Sequence, residues 1–199
     1  MPTVVDNRGR APRLSAAESR ARILNAARIA FTRAGYDTVG VREIAAAAGV
    51  DPAMVPRLFG SKEALFTEIA NGAFGLEPAF EGPTEGLGER VARHLLGPIP
   101  KDDPEAFDEF QFLLRSVGSP VAAPILSAAL HADFIRPLSK RMSGADAEAR
   151  AALVTAYVLG FAVLRAALGS PALDAATPDL VERSLGAAIQ AALAPITAP

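Results

Sequence analysis

The chain has 199 residues, half of them hydrophobic and 21% charged, and its 20 Lys and Arg against 22 Asp and Glu give a formal net charge of -2. This apolar content excludes a disordered chain, because burial can offset the loss of chain entropy. The absence of Cys excludes a disulfide scaffold, a Cys-ligated metal site and a cysteine nucleophile. The longest charge-free stretches fall short of the roughly 18 to 20 apolar residues of a membrane span, so we expect a cytoplasmic protein with no membrane partner.

Charge is distributed unevenly along the chain. Residues 1–62 contain ten Lys and Arg and five Asp and Glu, a balance of +5, which leaves -7 on residues 63–199. Such asymmetry suggests a basic module for an anionic partner, joined to an acidic body that does not bind that partner.

Helical spacing of apolar residues and a high Ala content predict an all-α fold. Residues 1–14 are polar and Arg-rich, which predicts a flexible basic arm. Ser15 and Glu18 have the spacing of a capping box and predict the start of the first helix. An apolar stripe follows, and Gly35 is expected to end that helix in a left-handed conformation.

Two short helices come next. The second helix is predicted over residues 41–48, ended by Gly49. Asp51 followed by Pro52 predicts the start of a third helix that runs to about residue 59. Gly60 then stops this helix, and Ser61 caps a fourth over about residues 62–74.

The remainder of the chain predicts five more helices, over about residues 84–96, 104–117, 120–142, 146–168 and 178–193. Three of these open with an N-cap residue followed by proline, at Asp103-Pro104, Ser119-Pro120 and Thr177-Pro178. Two prolines inside the segment 120–142, Pro124 and Pro137, predict a kink or a division there.

The two short helices and their Gly-containing turn have the minimum pattern of a helix-turn-helix, in which the second helix enters the DNA major groove. This pattern lies in the basic part of the chain. Arg42 stands at the start of the first short helix, and Arg57 and Lys62 stand at and beyond the end of the second.

Residues 23–66 resemble the tetracycline-repressor (TetR) family of transcriptional regulators. The resemblance is carried by Ile23-Leu-Asn-Ala-Ala27, Phe31, Gly35-Tyr36, Val41-Arg-Glu-Ile-Ala45, Ala48-Gly-Val50 and Phe59-Gly-Ser-Lys-Glu-Ala-Leu-Phe66. It implies about nine helices, with a three-helix DNA-binding domain over residues 15–62 and a larger helical domain over residues 63–199. It also implies a homodimer built on the last two helices and a ligand cavity that controls DNA binding.

The resemblance assigns candidate DNA contacts residue by residue. Arg42 falls where the family often places a base- or phosphate-contacting side chain, and Lys62 falls where it places a phosphate-contacting lysine. Arg20 on the first helix is a further candidate phosphate contact. The surface expected to face the groove consists of Gly40, Val41, Pro52, Ala53, Met54, Pro56 and Arg57.

The sequence departs from the family pattern at this surface. The family often has a hydroxyl residue at the positions of Gly40 and Val41, and a Tyr or His at those of Pro56 and Leu58. We therefore expect phosphate anchoring to depend on three other groups of residues, which are the arm (Arg8, Arg10, Arg13), the first helix (Arg20, Arg22) and Lys62. Pro56 is also expected to shorten or kink the recognition helix, because it lacks a backbone donor.

In the larger body, aromatic residues are the candidates to line a ligand cavity, although each could instead be ordinary core. The candidates are Phe74, Phe107, Phe110, Phe134, Tyr157 and Phe161. Arg165 lies in an apolar run and is either a paired structural charge or a counter-ion for an acidic ligand. The small residues Ala152, Ala156 and Gly160 suit close helix approach, either in a dimer interface or in internal packing.

The sequence thus predicts a ligand-responsive transcriptional repressor. It would bind a pseudo-palindromic DNA operator as a homodimer and be released by a small-molecule effector. We expect no cofactor, no metal and no enzymatic activity, because the sequence has no glycine-rich phosphate loop after a strand, no nucleophile elbow and no His-Glu-x-x-His spacing. The alternative is a ligand-binding or interaction protein of the same fold with weakened DNA recognition.

Overall fold

The computed structural model describes residues 15–76, 78–98 and 106–195, and over these ranges the chain is helical with no strand. The predicted all-α fold class is confirmed. The chain forms two compact units. The N-terminal unit consists of Met1–Ile69 with Glu105–Ala122, and the C-terminal unit consists of Ala70–Pro104 with Ala123–Pro199. The predicted arm over residues 1–14 lies outside the described residues.

Helix α1 spans Ala16–Thr38 and begins as the sequence predicts. The Ser15 hydroxyl accepts a hydrogen bond from the Glu18 backbone N–H (3.1 Å), and the Glu18 carboxylate accepts one from the Ser15 N–H (2.7 Å). This reciprocal pair satisfies two of the donors that a helix start leaves free. The helix is interrupted at Gly35, where φ is 74° and ψ is 175°. Gly35 therefore has the expected positive φ, with an extended rather than a left-handed helical ψ.

Three short helices complete the first part of the N-terminal unit. They are α2 (Val41–Ala48), α3 (Met54–Phe59) and α4 (Lys62–Ala70). Gly49 ends α2 in the left-handed conformation, and the Ser61 hydroxyl caps α4 by accepting from the Ala64 N–H (3.0 Å). The fourth helix is shorter than the predicted 62–74, because residues 71–74 form turns.

The later helices are α5 (Leu87–Leu95), α6 (Glu109–Ser116), α7 (Ala122–Leu130), α8 (Arg136–Ser139), α9 (Ala147–Ala162), α10 (Pro171–Asp174) and α11 (Pro178–Leu193). A 3-10 turn spans Pro78–Phe80, and π-helical turns span His131–Ile135 and Val163–Ala167. The last helix matches its predicted bounds, and the Thr177 hydroxyl accepts from the Leu180 N–H (3.4 Å).

Several of the later predicted helices differ in the structure. The helix predicted over 84–96 is shortened to Leu87–Leu95, and the one predicted over 146–168 ends at Ala162 and continues as a π-helical turn. The helix predicted over 104–117 begins at Glu109, because Asp108 provides the cap by accepting from the Gln111 N–H (2.8 Å); the expected cap at Asp103-Pro104 lies outside the described residues. The segment 120–142 is divided as predicted, at a π-helical turn rather than at Pro124. Pro137 follows this turn. Proline has no backbone N–H to donate, and the wider π-helical turn accommodates the missing hydrogen bond.

Helix α6 packs with the N-terminal unit. An aromatic cluster links them: the Phe66 ring stacks on that of Phe112 (4.6 Å between centroids) and meets Phe31 (5.1 Å) and Tyr36 (5.0 Å) edge to face. All four rings are buried. The predicted domain boundary at Lys62 assigned both α4 and α6 to the C-terminal domain, whereas these helices supply half of this cluster.

The C-terminal unit has its own core, formed by α5, α7 to α9 and α11. Its buried members are Phe80, Leu87, Val91, Phe134, Leu138, Ala151, Val154, Ile189 and Leu193. Helices α5 and α11 are in close backbone contact at Gly88 and Gly186. A Cβ on Gly88 would lie 2.1 Å from the Gly186 carbonyl oxygen, so only glycine fits there.

Arginine side chains connect segments of this unit by donating to backbone carbonyls. The Arg150 side chain is only 2% exposed. It donates to the Leu193 carbonyl (2.6 Å) and to that of Ser143, and it pairs with Asp146 (Nε to Oδ2, 3.1 Å). Arg165 donates to three carbonyls at the end of α5, namely Leu95, Leu96 (3.1 Å) and Gly97 (2.9 Å). Arg165 thus has structural partners, and they are carbonyls rather than carboxylates.

Gly35 sets the distance between α1 and α6. A Cβ at this position would lie 2.2 Å from the Arg115 carbonyl oxygen and 2.8 Å from its carbon. Nearby, the Tyr36 N–H donates to the buried Ser116 hydroxyl (3.1 Å). The backbones of the two helices are therefore in direct contact, and both the positive φ and the lack of space require glycine.

We expect Gly35→Ala to lower the free energy of unfolding by about 2–5 kcal/mol, from the positive φ and the overpacking together. Gly49→Ala is the matched control, because Gly49 also has a positive φ (66°) but its nearest neighbour would lie 3.9 Å away. This control is expected to cost about 1–2 kcal/mol. Urea unfolding measures both. Equal losses in the two variants would contradict the close contact between α1 and α6.

Candidate nucleic-acid interface

Helices α2 and α3 form a helix-turn-helix whose apolar side chains face inward. Ile44, Ala45 and Ala48 of α2 and Val55 of α3 are buried. In the turn, the Gly49 N–H donates to the Ala46 carbonyl (3.1 Å) and the Val50 N–H donates to the Ala45 carbonyl (3.0 Å). This pattern is a Schellman motif, which ends α2 sharply and fixes the direction in which the chain enters α3.

The start of α3 explains how it accommodates Pro56. The Asp51 carboxylate accepts a hydrogen bond from the Ala53 N–H (2.8 Å), and the regular helix begins at Met54. Pro56 is thus the third helical residue, within the first turn, where backbone N–H groups have no intrahelical acceptor. The proline therefore breaks no helical hydrogen bond. The recognition helix is short, with six residues, and begins later than predicted.

The outer surface of this motif is formed by the residues predicted to face the groove. Those exposed to solvent are Gly40, Arg42, Pro52, Ala53, Pro56 and Arg57, and those half-buried are Val41 and Met54. The Arg42 and Arg57 side chains make no hydrogen bond or ion pair with other described residues. Both cations are therefore available to an anionic partner at the face opposite the apolar core.

Arg20, by contrast, is held within the unit. Its guanidinium pairs with the Glu68 carboxylate (2.6 Å) and lies over the Phe59 ring, 4.7 Å from the centroid. These contacts connect α1 to the end of α3 and to α4. Both charged side chains are partly exposed, so the ion pair contributes at most about 1 kcal/mol.

Lys62 is also held within the unit. Its Nζ donates to the carbonyl oxygens of Tyr36 (2.9 Å) and Val39 (3.1 Å) and lies 4.2 Å from the centroid of the Tyr36 ring. The lysine is half-buried. The phosphate contact that the sequence predicts for Lys62 remains a prediction. The sequence gives no signal of these carbonyls, because they belong to a segment more than 20 residues away.

Two titrating groups in this unit are shifted from their ordinary values. Burial raises the pKa of the Tyr36 hydroxyl, with smaller contributions from the Glu63 and Asp37 carboxylates. The pKa of Glu18 is lowered, first by the hydrogen bond from the Ser15 backbone and then by the one with its side chain. At neutral pH, Tyr36 is therefore uncharged and Glu18 is ionised. The negative charge of Glu18 interacts favourably with the positive end of the α1 dipole.

The aromatic residues predicted to line a ligand cavity are divided between the two units. Phe107 and Phe110 belong to the N-terminal unit, where Phe107 meets Phe112 edge to face (5.4 Å). Phe134 and Phe161 are buried in the C-terminal unit, and Phe134 contacts Phe80 (4.8 Å). Phe74 is half-buried, whereas Tyr157 is 43% exposed.

A cleft of about 460 Å³ lies in the C-terminal unit and is lined by none of these aromatic residues. Its walls are Thr84, Glu85, Lys140, Arg141, Met142, Ser143, Gln190, Leu193, Ala194 and Pro195. The lining includes two cations and several hydrogen-bonding groups. Sequence reasoning did not find it, because its residues come from three distant segments. Within the described ranges, no group of three or more His, Asp or Glu is placed to hold a metal ion.

Two family models match the chain. One, described as bacterial regulatory proteins of the tetR family, matches residues 23–69. The other, described as the tetracyclin repressor-like C-terminal domain, matches residues 85–193, which is more than half of the sequence. The chain belongs to the TetR family. TetR-family proteins are DNA-binding transcriptional regulators rather than enzymes, and they bind small-molecule effectors and form dimers.

Solved structures of TetR-family regulators are similar along most of the chain. A regulator from Streptomyces coelicolor A3 is 29% identical with a TM-score of 0.54, over 92% of this chain and 99% of that one. A transcriptional regulator from Rhodococcus sp. Rha1 is 27% identical with a TM-score of 0.52, over 90% and 96%.

NalD, the secondary repressor of the MexAB-OprM multidrug efflux pump in Pseudomonas aeruginosa, is 18% identical with a TM-score of 0.59, over 90% and 98%, and is similar in fold alone. Comparison with curated protein sequences gave no match.

Arg42→Ala is expected to reduce discrimination between a duplex selected in vitro by this TetR-family regulator and a scrambled duplex. A bidentate contact from Arg42 to a guanine would account for about 1–3 kcal/mol of discrimination. Fluorescence anisotropy at one fixed salt concentration measures both dissociation constants. Arg136→Ala, at an exposed position of α8 in the C-terminal unit, is the control and should change neither. An equal loss on both duplexes would assign Arg42 to phosphate instead.

Proposed function

We propose that this TetR-family regulator is a repressor that binds a pseudo-palindromic operator as a homodimer and is released by a small molecule. The observation that carries this proposal is the helix-turn-helix itself, whose apolar side chains are buried while Arg42 and Arg57 on the outer face make no ion pair with the described residues. Such a face offers cations to phosphates and a guanidinium to base edges.

Exposed apolar side chains on α9 and its continuation support a dimer. Leu153 is 53% exposed, Leu164 46% and Leu168 67%, and these flank the small residues Ala156 and Gly160. On α11, exposed residues recur at helical spacing, namely Leu180, Ser184, Ala187 and Ala191. A face of small and apolar residues on two neighbouring helices suits close packing against a second copy.

Helix α9 together with its π-helical continuation (Ala147–Ala167) is long and apolar enough to span a membrane by length and composition. One such helix is weak evidence for a span. Arg150 and Arg165 lie near its two ends and bind protein carbonyls. We therefore assign its exposed face to a partner helix rather than to lipid.

A homodimer with two-fold symmetry would bind an operator whose two halves are related by the same symmetry. Two recognition helices would be presented about 34–36 Å apart, one turn of DNA, and would read the two halves of a pseudo-palindrome. An effector would bind the C-terminal unit in a form whose recognition helices are wrongly spaced. Release from DNA follows only if the effector binds this form more tightly than the DNA-bound form.

One set of observations favours the alternative, a ligand-binding protein of the same fold with weakened DNA recognition. Gly40, Val41 and Pro56 lack the hydroxyls and rings that often bind phosphate in the family. In addition, Arg20 and Lys62 bind groups within the unit.

Selection from a random duplex library, followed by footprinting on the DNA upstream of the gene, separates the two functions. The proposed regulator should enrich a sequence with two-fold symmetry and protect a matching site. Failure to enrich any sequence, with binding that is equal on all duplexes, would favour the alternative.

We expect Ala156→Glu to dissociate the dimer, because the close helix contact would bury an unpaired charge at a cost of about 3 kcal/mol or more. Ala172→Glu, at an exposed position on α10, is the control and should remain dimeric. Sedimentation velocity at micromolar concentration measures both. A monomeric wild-type protein would rule out the proposed interface.

A further inference from the structure

The Val39–Gly40 peptide joins α1 to α2 and lies immediately before the first helix of the helix-turn-helix. Val39 is the last residue before Gly40, and its side chain is only 1% exposed. Gly40 is the N-cap of α2, and Arg42 is the second residue of that helix. The orientation of the Val39–Gly40 peptide therefore determines the direction in which Arg42 leaves the surface.

This junction has no side-chain cap of its own. Gly40 makes no side-chain cap hydrogen bond, because it has no side chain. A Ser, Thr, Asp or Asn at an N-cap would hold the first turn by accepting from a backbone N–H. The start of α2 must therefore be fixed by contacts from elsewhere in the unit.

Lys62 makes that contact. It donates to the Val39 carbonyl (3.1 Å), which belongs to the same peptide group as the Gly40 N–H, and to the Tyr36 carbonyl (2.9 Å). Its ammonium also lies over the Tyr36 ring. Tyr36 is itself fixed, since its N–H donates to Ser116 and its ring packs on Phe31 and Phe66. The lysine thus connects the start of α4 to a rigid part of α1 and to the junction.

These internal bonds compete with a phosphate for the same cation. Two of the three ammonium protons are directed at carbonyls, and the cation lies on an aromatic face. Moving the ammonium to an external phosphate would leave the Val39 and Tyr36 carbonyls, which are partly buried, without this donor, and an unsatisfied carbonyl away from water is costly. The internal arrangement is therefore the stable one.

We infer that Lys62 is a positioning residue for DNA recognition, which orients the start of α2 through the Val39 carbonyl, and is not a phosphate contact. This inference rests on the proposed function, in that the oriented surface is the one proposed to read the operator. The first part of the inference, that Lys62 anchors the junction between α1 and α2, concerns the free protein and can be tested without DNA.

The test compares Lys62→Met with Arg57→Met. Both variants remove one cation and keep an unbranched apolar stem, but Arg57 is exposed and makes no internal contact with described residues. Hydrogen exchange of the free proteins reports on residues 38–44. Anisotropy titrations over a series of salt concentrations, on the selected and the scrambled duplex, report affinity and its salt dependence. Thermal unfolding confirms that each variant is folded.

For Lys62→Met we expect faster exchange over residues 38–44 and a loss of affinity for the selected duplex of roughly five- to hundredfold, the range that an unsatisfied carbonyl implies. The slope of log K against log salt should stay unchanged. For Arg57→Met we expect unchanged exchange, and a slope shallower by about 0.9 for each phosphate that this arginine neutralises in the wild-type complex.

A shallower slope for Lys62→Met, by about 0.9 per lysine removed, would overturn the inference, as would unchanged exchange over residues 38–44. If the wild-type protein prefers no duplex, the proposed function fails. The exchange result would then still decide whether Lys62 anchors the junction.

Discussion

Donation from cationic side chains to backbone carbonyls at the ends of helices is the interaction on which this structure depends. Lys62 binds the carbonyls that close α1, Arg165 those that close α5, and Arg150 one that closes α11. The last four carbonyls of any helix lack intrahelical partners, and the helix dipole makes that end negative. Lys62 and Arg165 each donate to two or three such carbonyls, and each of the three cations links two segments of chain.

This use of cations changes the meaning of the charge distribution. The balance of +5 over residues 1–62 includes Lys62 and Arg20, whose charges are directed at carbonyls and at a carboxylate within the unit. The charge available to DNA from the described residues is thus smaller than the composition suggests, and it includes Arg42 and Arg57 on the outer face. A regulator arranged in this way would depend more on base contacts and less on non-specific attraction to phosphate.

Local structure was predictable where one or two neighbouring residues decide it. The capping box at Ser15 and Glu18, the end of α2 at Gly49 and the bounds of α11 all follow from rules of short range. The partners of Lys62 and the cleft in the C-terminal unit could not be found in this way, because they depend on residues that lie far apart in sequence. The close approach at Gly35 shows both cases: its positive φ was expected, whereas the Arg115 carbonyl that fills the space came from a helix 80 residues away.

The association of α6 with the N-terminal unit bears on how such regulators could be recombined. The chain leaves the N-terminal unit after Ile69, returns to it for Glu105–Ala122 and then leaves again. A hybrid that joins this recognition module to a different effector domain at the end of α4 would deprive Phe66 and Tyr36 of their partners Phe112 and Ser116. The transferable module is therefore discontinuous in sequence, and an exchange that preserves it must graft two segments rather than one.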